Sequence, residues 1–167
     1  MATVIDVVAV HGQAKENSPI RRIYLEDFVP GVTHESPAHE ISKEEAVEFA
    51  RRYDPQYFHL DAEAAKDSAF GELVCGGFQT AALGWALALK SGMFDDCPLA
   101  GIGIEELRWL APVRPGDILR CRFTMLDWRV SKTRADAGIS RMRFELFNDD
   151  EQRVFTMVMI QLMQLRP

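Results

Sequence analysis

The run from Gly76 to Ser91 constrains this chain more than any other stretch. It reads GGFQTAALGWALALKS, dominated by Ala, Leu, Phe and Trp, with Gln79 and Thr80 near its start and Lys90 at its end. No polar face repeats at helical spacing, so the pattern predicts a helix buried all round. At about 1.5 Å per residue such a helix spans roughly 24 Å, the width of a small domain. It has to be covered, and a sheet that wraps it is the cover expected.

The sequence after Pro98 supplies that sheet. Leu99 to Leu110 reads as a strand ending at Ala111-Pro112, and Arg114-Pro115-Gly116-Asp117 as a turn. Ile118 to Val130 alternates well enough for a long strand, Ser131 to Asp136 is a polar hairpin connection, and Ile139–Asn148 and Arg153–Leu165 are two more strands around Asp149-Asp150. Upstream, Thr33 to Ile41 reads as a first strand. Ser42 followed by Glu45 is a capping box, and Ala46, Val47, Phe49 and Ala50 share one face, which predicts a helix from Lys43 to Tyr53. Antiparallel strands around one apolar helix make the fold class α+β. Nothing divides the chain, so residues 1–167 are expected to be one domain, with residues 1–22 an N-terminal arm or extra strand.

Composition narrows the function classes. The chain is 47% hydrophobic and 26% charged, which suits a globular domain with a full core. A formal net charge of -6 without a basic run argues against a nucleic-acid surface. No stretch is long and apolar enough to span a membrane, and an aspartate interrupts the short apolar run at the N-terminus, against a secretory signal. Cys75, Cys97 and Cys121 are odd in number and lack metal-type spacing, so they read as reduced thiols in a cytoplasmic protein.

Chemistry-bearing residues gather just before the apolar helix. Asp54 and His59 lie five residues apart beside Tyr53, Tyr57 and Phe58. Pro55 disfavours helical geometry at Asp54, which places the carboxylate just past the end of the preceding helix. A bent segment there brings carboxylate and imidazole onto one water molecule, an arrangement suited to general acid–base work. A lone loop aspartate is more often a solvated carboxylate, and a lone histidine more often structural. The pair is what carries the functional reading. The first turn of the helix leaves backbone N–H groups unpaired, and Gly76 and Gly77 let an oxyanion approach them. Asp61 reads as an N-cap, Cys75 as a small apolar lining residue and not a nucleophile, and the histidines show no metal-ligand spacing.

These residues match a family pattern. Asp54, His59-Leu60-Asp61, Ala64-Ala65, Phe70-Gly71 and Cys75-Gly76, with YLEDFVPG and the stretch RWLAPVRPGD from Arg108 to Asp117, resemble the MaoC-like dehydratases. That is the hotdog-fold family that includes the (R)-specific enoyl-CoA hydratases, and the resemblance runs from about Tyr24 to Leu165. It implies a hotdog fold: a curved antiparallel sheet wrapped around the long central helix. It implies an enzyme that adds water reversibly to a trans-2-enoyl thioester, with Asp54 and His59 acting on the water and the Cα proton. Gly76 N–H would bind the thioester oxygen. Tyr57, Phe70, Cys75 and Gly77 would contact the substrate.

No metal or redox cofactor is implied; coenzyme A or an acyl carrier protein belongs to the substrate, and a homodimer is the expected assembly. Tyr57 stands where such hydratases usually have proline, and Cys75 where they often have histidine. Thioester hydrolysis on the same architecture and a non-catalytic acyl-binding module are the competing readings.

Overall fold

Local sequence signals translate directly into most elements of the computed structural model, which describes residues 22–167. Along the chain these are β1 (Thr33–Glu35), β2 (His39–Glu40), α1 (Lys43–Tyr53), α2 (Tyr57–Leu60), α3 (Gly77–Lys90), β3 (Pro98–Trp109), β4 (Ile118–Val130), β5 (Ala137–Phe147) and β6 (Arg153–Gln164). Short 3-10 turns cover Leu25–Asp27 and Ala64–Asp67. The arm or strand expected of residues 1–22 lies, but for its last residue, outside the described residues.

Alternation along β4 explains the layering. Leu119, Cys121, Phe123 and Met125 are buried, while Arg120 and Arg122 point the other way toward Asp149, Glu35 and Glu151. The sheet is antiparallel, in the order β1-β4-β5-β6-β3, with β2 also pairing with β4. Its inner face holds α3, which packs on β4, β5 and β6. This is the hotdog arrangement. Between helix and sheet the rings of Phe28, Phe94, Phe123 and Phe144 pack at centroid distances of 5.1 to 6.2 Å. Fully burying a side chain of that size contributes roughly 1.5–3 kcal/mol.

Two expectations are corrected. The first strand is not continuous from Thr33 to Ile41: β1 pairs His34 with Phe123 and β2 pairs His39 with Leu119, so one extra residue lies between them. Pro37 has no N–H to give to a ladder. Ser36 bridges the break, because its hydroxyl accepts from Cys121 N–H at 2.9 Å where a strand would offer a carbonyl. The second correction concerns α3, which is not buried all round. Gln79, Thr80, Leu83, Gly84, Leu87 and Ala88 face the interior, yet Phe78 is 67% exposed and Leu89 39% exposed. A single sheet covers one side of a helix, and the opposite side stays open.

The α1 prediction holds at both ends. Ser42 Oγ accepts from Glu45 N–H at 3.0 Å, and the helix ends at Tyr53 with Asp54 as its C-cap. The Glu45 carboxylate does not complete the capping box; it meets His39 Nε2 at 3.0 Å instead. His39 is therefore part of the junction between β2 and α1.

Candidate active site

Asp54 and His59 are brought together by two helix ends. Pro55 stops α1, the Asp54 backbone turns to φ -150° and ψ 65°, and Gln56 starts the single turn of α2 that carries His59. The sequence placed His59 in a bent loop; a one-turn helix does the bending. His59 is 5% exposed. Its Nε2 lies 3.5 Å from Asp54 Oδ2, and its Nδ1 lies 2.7 Å from the Val74 carbonyl oxygen. A carbonyl only accepts, so Nδ1 carries the proton. In the neutral ring Nε2 is therefore a bare acceptor facing the carboxylate.

The carboxylate is oriented from its other side. Asp54 Oδ1 accepts from the Gln56 side-chain amide at 2.8 Å, which leaves Oδ2 turned toward His59 and the start of α3. A Cβ on Gly76 would stand 3.1 Å from Oδ2, so the glycine is what allows this approach. Val74 and Cys75 are tied on both sides: Val74 N–H to the Phe58 carbonyl, Cys75 N–H to the Val113 carbonyl. Among the described residues no acceptor meets the N–H groups of Gly76 and Gly77. Two acceptors 3.5 Å apart beside an open helix N-terminus can hold a water by both of its hydrogens and an oxyanion by backbone N–H.

The other expected contact residues are distributed unevenly. Tyr57 and Phe70 are half-exposed and both lean on Phe58, at 5.1 and 5.4 Å between ring centroids; Phe58 in turn packs on His59 at 4.5 Å. They form an aromatic rim at the histidine. Cys75 is buried, and burial pushes its thiol up to about 12, which removes it as a nucleophile. Gly77 has its side-chain space filled: a Cβ there would lie 2.8 Å from Trp109 Cε2. Asp61 caps the Ala64–Asp67 turn, accepting from Glu63 and Ala64 N–H at 2.8 and 3.1 Å, and those bonds hold its carboxyl below the usual range. The structural role expected of it is the one observed.

Gln56, Val74 and Trp109 were not singled out from the sequence. Gln56 lies two residues from Asp54 and is within reach of local reasoning. Val74 acts through its carbonyl, which every residue has, and Trp109 arrives from a strand 32 positions from Gly77, so neither leaves a local signal. Among the described residues no cluster of His, Cys, Asp and Glu could hold a metal ion, and no helix is long and apolar enough to cross a membrane.

Comparison with known proteins gives consistent matches. The family described as "MaoC like domain" matches residues 28–142. The chain is 30% identical over 131 residues to the uncharacterized protein YdeM of Bacillus subtilis (strain 168), covering 78% of this chain and 92% of that one. Among solved structures, the MaoC-like dehydratase from Rhodospirillum rubrum superposes with a TM-score of 0.78 at 36% identity, over 87% of this chain and 99% of that one. The R-hydratase PhaJ1 from Pseudomonas aeruginosa gives 0.66 at 23% identity over 85% of each chain, a likeness of fold.

Proposed function

The chain belongs to the MaoC-like domain family, and from that premise we propose that it adds water reversibly to the double bond of a trans-2-enoyl thioester, carried on coenzyme A or an acyl carrier protein, to give a 3-hydroxyacyl thioester. The observation that supports this reading best is the 3.5 Å gap between Asp54 Oδ2 and His59 Nε2, with Nδ1 committed to Val74. A water seated beside both atoms, off the line that joins them, donates one hydrogen to each acceptor and presents its lone pairs outward, toward C3 of an enoyl group. As the C3–O bond forms, the C2=C3 π electrons move toward the thioester carbonyl. The developing negative charge on that oxygen is met by Gly76 N–H at the positive end of α3. The proton released by the water passes to the Asp54–His59 pair and is delivered to C2 from the same side. The addition is therefore syn, and the pair is restored.

Tyr57, Phe70, Cys75 and Gly77 are the substrate contacts in this reading, with the aromatic rim around Phe58 at the mouth. No metal or redox group enters the reaction. The named R-hydratase and dehydratase relatives point the same way. We place the protein in the cytoplasm, because all three cysteines are buried free thiols.

A second copy of the chain is the partner that fits the open side. Leu99, Ile102 and Ile104 of the edge strand β3 are 39, 55 and 52% exposed, and Phe78 and Leu89 on α3 are exposed apolar residues as well. A Cβ on Gly101 or Gly103 would meet nothing within 4 Å, so no packing inside the chain requires glycine there.

The test is loss of enoyl absorbance with trans-2-enoyl-CoAs of increasing chain length. Asp54→Asn and His59→Gln should each lower kcat by about 10²–10⁴, the usual worth of a positioned acid–base group. Free thiol in place of a 3-hydroxyacyl product would replace the hydratase reading by hydrolysis. No turnover and no thiol release would leave an acyl-binding role.

A further inference from the structure

Trp109 reaches the start of α3 only because β3 is irregular. Glu105 lies opposite Val158 on β6, but Arg108 lies opposite Thr156, so β3 carries one extra residue between them. Glu106 takes φ 53°, the left-handed region, within this bulge. An extra residue turns every following side chain to the other face of the sheet. Glu105 points outward to Arg141; unbroken alternation would send Trp109, four residues on, the same way. The bulge instead sets Trp109 opposite the core residue Phe155, facing the helix.

There its indole Nε1–H donates to the Gly77 carbonyl at 2.7 Å, and Phe78 packs edge-on at 5.7 Å. Gly77 has no Cβ to block the ring. The neighbouring carbonyl, of Gly76, accepts from both Thr80 N–H at 3.0 Å and Thr80 Oγ1 at 3.2 Å. Two successive glycines are the least restrained pair of residues a chain can place at a helix start. Here each has its carbonyl held, one by Thr80 from within the helix and one by Trp109 from the edge strand.

We propose that Trp109 is a positioning residue for the hydration reaction: by holding the Gly77 carbonyl it fixes the direction in which the Gly76 N–H meets the thioester oxygen. This rests on the hydratase reading of the same site. The bulge at Glu106 is the device that aims it. Because β3 is an edge strand, the oxyanion end of the site is fastened to the surface proposed to receive the second copy.

Trp109→Phe keeps a ring beside Phe78 and removes the N–H. The expected result is a kcat lower by about tenfold, since small misplacements of a site group act on the chemical step. KM for a trans-2-enoyl-CoA and the pH profile should be unchanged, because Asp54 and His59 are untouched. Amide hydrogen exchange at Thr80 should speed up while the thermal midpoint falls by no more than about 4 °C. An unchanged kcat, or an unchanged exchange rate at Thr80, overturns the proposal. A wild type that turns over no enoyl thioester overturns the hydratase reading, while exchange at Thr80 still decides whether the hook exists. Should Trp109→Phe fail to fold, Gly77→Ala displaces the same indole from the opposite side and is read by kcat and by exchange at Thr80 alone, since Gly77 is also a substrate contact. The double variant should be no slower than Trp109→Phe alone.

Discussion

His59 is held with one ring nitrogen already committed. The Val74 carbonyl fixes its tautomer, so only Nε2 exchanges protons, and the ring cannot turn over without losing a buried hydrogen bond. The three cysteines show the opposite use of burial. Cys75, Cys97 and Cys121 each have the thiol pushed up from 9.0 to about 12, mainly by burial. In the unfolded chain they ionise near the ordinary value, so the folded state binds more protons above that pH. Stability is therefore fully present below about pH 8.5 and declines as pH rises toward about 12. Denaturant midpoints measured across that range should fall, and a thiol reagent at pH 8 should modify native protein slowly and denatured protein at all three positions. Fast labelling of native protein would contradict the burial. At this scale the sequence pointed to Asp54, His59 and Gly76, which the fold brings together, because residue type and spacing carry the signal. It could not show Val74, whose contribution is a backbone carbonyl.

Elements were legible where their ends are chemically marked. α1 begins at Ser42 and stops before Pro55, and both marks are side chains that act locally. Ser42→Ala should lower stability by about 1 kcal/mol, read as a drop in the urea midpoint with the slope unchanged. Within α3, Gly84 is a different case: a Cβ there would meet Leu146 and Phe155 at 3.6 to 3.7 Å, ordinary contact. Gly84→Ala should therefore stabilise the helix by up to about 1 kcal/mol, and a lowered thermal midpoint would show that the space is less open than it measures. The break between β1 and β2 had its mark in Pro37, but alternation around it resembled one strand. Only the pairing with β4 exposes the extra residue. The bulge at Glu106 had no mark, since glutamate, unlike glycine or asparagine, is not a residue that signals positive φ.

For the whole molecule, the pattern of the chain yields a sheet around a helix but not the order of the strands. Nothing local tells β3 to pair with β6, because β4 and β5 lie between them in the chain. Nor does composition distinguish an apolar face covered by its own sheet from one left for another molecule, which is why α3 reads as buried throughout. If a second copy covers Phe78, Leu89 and β3, light scattering should give the mass of a dimer, and Ile102→Lys should shift it toward monomer by placing a charge on the edge. A monomeric wild type would reject that assembly.

The strand order also sets a timetable. During synthesis α3 and β3 emerge before β4, β5 and β6, and among the described residues the strand that pairs with β3 is β6, the last of the six to appear. The edge strand β3, with its exposed Leu99, Ile102 and Ile104, thus waits on the ribosome without its partner until residues 153–164 are made. Nascent chains stalled before that point should bind chaperones through residues 98–109, and release should coincide with the arrival of β6.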